Sequence, residues 1–143
     1  MNNEIFLPAF EKLSKIANAN KNFTMCIMQV AFEMTAKSKY NDDPEQPTGY
    51  IMKVEPRNRE TGIHYRFERC PIAEFAKQNG YLDVMPALCN GDYPAMELLH
   101  AALIRRHTCA NSDICDYWIV GDESSYAKEH PKKVDEAGYF YND

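Results

Sequence analysis

The sequence predicts an α+β domain: one antiparallel sheet of two β-hairpins, with helices packed on one of its faces. Three observations predict it. Apolar residues recur at helical spacing through the first 39 residues. Two pairs of strand-like segments follow, each pair joined by a polar turn. Helix-starting signals, Pro71 and Asp92, lie between the pairs rather than inside them. The resulting order, α-α-β-β-α-α-β-β, groups the strands into hairpins and so favours an antiparallel sheet.

Pro8 to Ala19 reads as the first helix, with Pro8 in its opening turn and Phe10, Leu13, Ile16 and Ala17 on its apolar face. Asn18 to Asn22 is a polar break. From Phe23 to Lys39 a second helix presents Phe23, Ile27, Val30, Ala31 and Met34 as a stripe for the core. Cys26, on or beside that stripe, is expected to pack as an inert small hydrophobe. Tyr40 to Gly49, with two prolines and three acids, reads as an exposed loop.

Tyr50 to Val54 and Ile63 to Arg69 form the first hairpin. In its second strand Ile63, Tyr65 and Phe67 alternate with His64, Arg66 and Glu68, and the alternation carries Cys70 to the polar side. Pro71 opens a short helix that ends at Gly80. Leu82 to Gly91 reads as a loop, and Asp92 as the N-cap of a helix from Tyr93 to about His100. Ala102 to Ala110 and Ile114 to Val120 form the second hairpin, turning through Asn111-Ser112-Asp113.

The whole chain, 1–143, reads as a single domain, with a helical part over 1–39 and a polar surface extension over 121–143 holding at most one helical turn near Tyr126. Its apolar fraction of 45% and charged fraction of 26% are those of a folded protein. A net charge of -5 with scattered basic residues argues against nucleic-acid binding. The N-terminus lacks a signal peptide's basic and apolar regions, and no apolar run spans a bilayer, so a soluble, cytoplasmic protein without a membrane partner is expected. Five cysteines without export signal or CxxC pair read as reduced thiols.

The candidate chemistry lies between His64 and Asp116. Cys70 precedes a helix N-terminus, whose dipole favours the thiolate; buried packing is its plainer role. Cys89-Asn90-Gly91-Asp92 is a tight corner before a helix start, suited to an anion or an activated thiol, and Asp92 is also an ordinary N-cap. The second hairpin adds Arg105, Arg106, His107, Thr108, Cys115 and Asp116. Histidine is the side chain suited to moving protons near neutrality, and an arginine can grip a carboxylate through paired hydrogen bonds. By alternation Arg106 and Thr108 share one face, opposite Arg105 and His107. A metal site from Cys70, Cys89, Cys115 and His64 or His107 has irregular ligand spacing, so neither metal nor cofactor is expected.

Taken together, Arg69-Cys70-Pro71, Leu88-Cys89-Asn90-Gly91-Asp92, Thr108-Cys109-Ala110 and Cys115-Asp116-Tyr117 resemble the L-2-amino-thiazoline-4-carboxylic acid hydrolase family. The likeness runs from Tyr65 to Trp118. It departs where the family pattern has leucine and this chain has Cys109, where a glycine-rich turn is replaced by Asn111-Ser112-Asp113, and where phenylalanine is replaced by Tyr117. The resemblance implies hydrolytic opening of a cyclic amidine to a carbamoyl-cysteine. The residue chemistry then casts Cys89 as nucleophile, Asp92 or His107 as the acid–base group and Arg106 as carboxylate anchor. Thr108, Cys70, His64, Cys115 and Asp116 would shape the substrate site. A non-catalytic domain that binds or senses a small ligand in the same cleft is the alternative, and homo-oligomerisation is left open.

Overall fold

A computed structural model describes residues 11–38, 45 and 49–143. Its elements are α1 (Asn22–Ala36), β1 (Ile51–Val54), β2 (Ile63–Arg69), α2 (Pro71–Asn79), a 3-10 turn (Leu82–Val84), α3 (Met85–Cys89), α4 (Asp92–Glu97), β3 (Ala101–Ile104), β4 (Cys115–Gly121), α5 (Ser125–Glu129), β5 (Lys133–Val134) and β6 (Phe140–Tyr141). The fold is α+β. A four-stranded antiparallel sheet runs β1-β2-β4-β3, so the two hairpins meet through β2 and β4, and β5-β6 form a separate ribbon.

Register explains where the core lies. Tyr65 pairs with Tyr117, Phe67 with Cys115 and Ile63 with Ile119, which pairs in turn with Leu103. These side chains share one face of the pleat, and the period of two makes that face continuous. Phe32 of α1 stacks on Tyr65 at 4.6 Å, and Tyr65 on Tyr117 at 4.8 Å, a three-ring column from helix to sheet. The opposite face carries His64, Arg66, Asp116 and Trp118.

The stripe read for α1 is not the one that packs. Phe23 is 75% exposed, and Ile27, Val30, Met34 and Cys26 are exposed too. The helix instead turns Thr24, Met25, Met28, Gln29, Phe32 and Ala36 inward. Both stripes have helical period, so periodicity could not choose between them. Gln29, one of two polar members of the inner stripe, donates to the Glu55 carbonyl at 3.0 Å and to Glu33 at 2.7 Å, while its Oε1 is buried without a partner among the described residues. Of the first helix, residues 11–14 are helical and the chain turns at 15–16, short of Ala19; Leu13 and Ile16 are exposed, while Pro8 and Phe10 lie outside the described residues. So does the loop from Tyr40, apart from Glu45 and Gly49.

Other boundaries moved for identifiable reasons. Leu82 to Gly91 holds a 3-10 turn and α3, because Pro86 suits a helix's first turn. Strand β3 stops at Ile104 rather than Ala110, because Thr108, Asn111 and Asp116 side chains take backbone N–H groups that a ladder would have used. Gly80 closes α2 in the left-handed conformation at φ 75°. The segment after Gly121 is more than a surface extension, since Tyr139 and Asn142 are buried. The Asn142 carboxamide accepts from the Tyr93 hydroxyl and the Arg105 N–H, both at 3.0 Å, and donates to the His130 carbonyl at 2.8 Å.

Two stability measurements check this architecture. Ile27→Lys should leave the urea midpoint within about 0.5 kcal/mol of wild type, whereas Met25→Lys, at a residue 5% exposed, should cost at least about 3 kcal/mol by burying a charge. The reverse order would put the core on the other side of α1. Gly62 has φ 79°, and a Cβ there would lie 2.0 Å from the Ile119 carbonyl oxygen. Gly62→Ala should therefore destabilise by about 1–3 kcal/mol or more in the same assay.

Candidate functional site

The packed face of the sheet ends in a concentration of thiols, phenols and two charges. Strand β2 leads into Cys70, the extended N-cap residue of α2, which packs against the core rather than continuing the polar alternation. Helix α3 ends at Cys89 and α4 begins at Asp92, with Gly91 as its N-cap. Strand β4 begins at Cys115, and Tyr117 follows on the same face. Cys109 reaches the cluster from the turn between β3 and β4, where its thiol donates to the Phe67 carbonyl at 3.5 Å.

Arg105 lies behind them, 0% exposed. Its guanidinium donates to the carbonyls of Cys89 (2.6 Å) and Phe140 (2.8 Å) and to Asn90 Oδ1 (3.0 Å). It also sits 5.1 Å from the Tyr93 ring centre and 5.9 Å from that of Tyr117. Its Nε is one of two buried side-chain polar atoms without a hydrogen-bond partner among the described residues.

These surroundings separate the thiols. Burial pushes Cys89 up to about 11, with Arg105 only partly opposing it. Burial also raises Cys70; the backbone N–H groups of Ala73 and Ile72 at the start of α2 pull the other way and lose. The helix start therefore does not lower this thiol, contrary to the sequence expectation. Cys115 moves in the opposite direction, down to about 7. Its largest cause is the Cys109 side chain beside it, followed, against the penalty of burial, by the Cys109 N–H, which donates to Cys115 Sγ at 2.9 Å. The Tyr117 hydroxyl and the Arg105 charge add to it. Cys109, as the donor of the pair, is held protonated.

Asp92 is exposed by surface area, yet the protein crowded round its carboxyl penalises the charged form and raises its pKa. Arg105 and the Tyr117 hydroxyl, which donates to Asp92 Oδ2 at 3.3 Å, oppose that rise. A small cleft of about 120 Å³, bounded by Arg69, Cys70, Glu74, Cys109 and Asp113, opens beside the cluster. A cavity of about 660 Å³ lies by Asn20, Gly62 and Gly121, at the opposite end of β2 and β4, and touches none of the thiols.

The structure thus brings together Cys70, Cys89, Asp92 and Cys115 of the residues singled out from sequence. It places the others elsewhere. Arg106 and His107 are exposed, and Arg106 lies 5.2 Å over the Trp118 ring. With Thr108 they line a separate cavity of about 190 Å³ against Tyr139 and Tyr141. Thr108 is buried and knits its own turn, donating to Asn111 Oδ1 at 3.1 Å. The Asp116 carboxylate accepts the N–H groups of Arg106 and His107 at 3.1 and 2.8 Å. His64 stacks on Trp118 at 4.3 Å on the outer face, and burial lowers its pKa. Arg105, Tyr65 and Tyr117 were not chosen from sequence. Alternation from Cys115 would have reached Tyr117, and the register would then have reached Tyr65. Among the described residues no three His, Cys, Asp or Glu side chains are placed to hold a metal ion, and no helix is long and apolar enough to cross a membrane.

The α+β domain thus gathers an acidified thiol, a crowded carboxyl and a buried arginine at the ends of its central strands. The family model described as L-2-amino-thiazoline-4-carboxylic acid hydrolase matches residues 4–119 of the 143, and the chain belongs to that family. No curated protein and no solved structure matches it.

The order of the thiols can be measured. Titration of the reduced protein by thiolate ultraviolet absorbance should show a step with its midpoint near pH 7, the thiolate being present above it and lost as pH falls through it. Cys115→Ser should remove that step and Cys89→Ser should leave it. A step that follows Cys89 would reverse the ranking.

Proposed function

We propose that this chain is a cytoplasmic hydrolase that opens the ring of 2-amino-thiazoline-4-carboxylate, with Cys115 as its nucleophile. The observation that carries the reading is the pull on the Cys115 thiol from Cys109, Tyr117 and Arg105, beside the crowded carboxyl of Asp92. Nucleophilic role and thiolate character go together, because the thiolate is the attacking species.

In this reading the Cys115 thiolate adds to C2 of the amidine. The C2–N3 bond breaks, and Asp92 supplies the proton that lets the ring nitrogen leave as an amine. Water then adds to C2, the Cys115–C2 bond breaks, and the thiolate returns with release of a carbamoyl-cysteine. One water is consumed and no oxidant is needed. Arg105 favours both the thiolate and an anionic substrate through its positive charge, and its free Nε–H points to unspent hydrogen-bonding capacity. Tyr117, held well above its usual range by burial, stays protonated and orients Asp92.

A ligand-binding domain without turnover is supported by one observation, that Cys115 is only 5% exposed. One assay separates the two readings. Incubation with 2-amino-thiazoline-4-carboxylate should yield a product heavier by one water in mass spectra, at a rate that rises as pH passes about 7. Cys115→Ser should bring it to background, and Asp92→Asn should lower kcat/KM by about 100-fold or more. Saturable binding without the water adduct would favour the binding domain, and full activity in Cys115→Ser would remove this thiol from the mechanism.

A further inference from the structure

We propose that Cys109 and Cys115 are a reversible oxidation site, in which a small hydroperoxide oxidises Cys115 and Cys109 closes the product to an intramolecular disulfide. The geometry comes first. The Cys109 amide nitrogen lies 2.9 Å from Cys115 Sγ. A cysteine's amide nitrogen and sulfur are three bonds apart, so the Cys109 sulfur lies within a side chain's reach of Cys115 Sγ. Little holds Cys109 back: its thiol makes a 3.5 Å hydrogen bond to the Phe67 carbonyl.

Access favours small oxidants over large ones. Both cysteines are nearly closed off, at 6% and 5% exposure. The cleft of about 120 Å³ that reaches Cys109 beside Cys70 has room for a hydroperoxide. The thiolate character of Cys115 makes it the sulfur that attacks the peroxide and is oxidised, and leaves the protonated Cys109 as the resolving one.

The chemistry balances in two steps. The Cys115 thiolate attacks one peroxide oxygen, an S–O bond forms, the O–O bond breaks and an alcohol or water leaves after protonation. Sulfur is oxidised by two electrons and the peroxide reduced by two. Cys109 sulfur then attacks Cys115 sulfur, the S–S bond forms, the S–O bond breaks, and the hydroxide leaves with the Cys109 proton as water. A dithiol reverses the result by exchange. If Cys115 is the nucleophile proposed above, the disulfide switches turnover off; that consequence rests on the hydrolase reading, while the disulfide itself does not.

The test uses the full-length reduced chain treated with an equivalent of hydrogen peroxide and mapped by non-reducing peptide mass spectrometry. The expected result is loss of two hydrogens, a single cross-linked peptide pair containing Cys109 and Cys115, and full reversal by dithiothreitol. Cys109→Leu removes the resolving thiol and keeps the backbone N–H; under the same single equivalent it should give no cross-linked pair and instead hold one oxygen on Cys115 as a sulfenic acid that dimedone traps. Cross-linking of Cys115 to Cys70 or Cys89, or a wild type whose Cys115 is trapped by dimedone to the same extent as in Cys109→Leu, would overturn the proposal. A disulfide in a protein that never turns over the thiazoline would defeat the hydrolase reading and leave the redox pair standing.

Discussion

A guanidinium shut away from water is the constraint around which this structure is arranged. Arg105 costs several kcal/mol to desolvate, and among the described residues no carboxylate hydrogen-bonds to it. Its cost is offset by three acceptors and two aromatic faces, each charge-assisted hydrogen bond contributing about 1.5–3 kcal/mol. Those acceptors come from three places: the end of α3, Asn90 and the β6 strand. Meeting the demands of one side chain therefore fixes the α3–α4 corner against the sheet and draws the C-terminal ribbon over it. Asn142 completes the arrangement by capping the Arg105 N–H and carbonyl, at 3.0 and 2.7 Å.

The same charge organises the site. Burial alone raises thiols, and it does so at Cys70 and Cys89. Only at Cys115 do hydrogen-bond donors converge closely enough to overcome it, with Arg105 adding a favourable field. Direct donation to sulfur is the deciding influence, because Arg105 also acts on Cys89 and does not prevail there. A reactive thiol in this fold is defined by its donors rather than by its closeness to a helix start.

How far the sequence carried can be read from particular residues. The β2 strand, Ile63–Arg69, and its alternation were legible because one face is apolar and the other charged. The α1 face was not, since Phe23-Ile27-Val30-Met34 and Met25-Met28-Phe32-Ala36 both repeat with helical period and only contact with Tyr65 distinguishes them. Cys89, Asp92, Cys70 and Cys115 were legible as a group because each sits at an element boundary. Choosing Arg106 over Arg105 was a matter of which residue turned inward just after β3 ends at Ile104, and the sequence there is a bare pair of arginines.

By itself the sequence determined the α+β class, the pairing of hairpins and the family, because strand alternation and short ordered motifs are local properties. Tertiary structure alone decided which thiol is acidified, which arginine is buried and that the tail is part of the core. Those outcomes depend on hydrogen bonds between residues far apart in the chain, such as Asn90 with Phe140 and Tyr93 with Asn142. Burial and donor geometry, which set pKa values, come into being only when those segments meet.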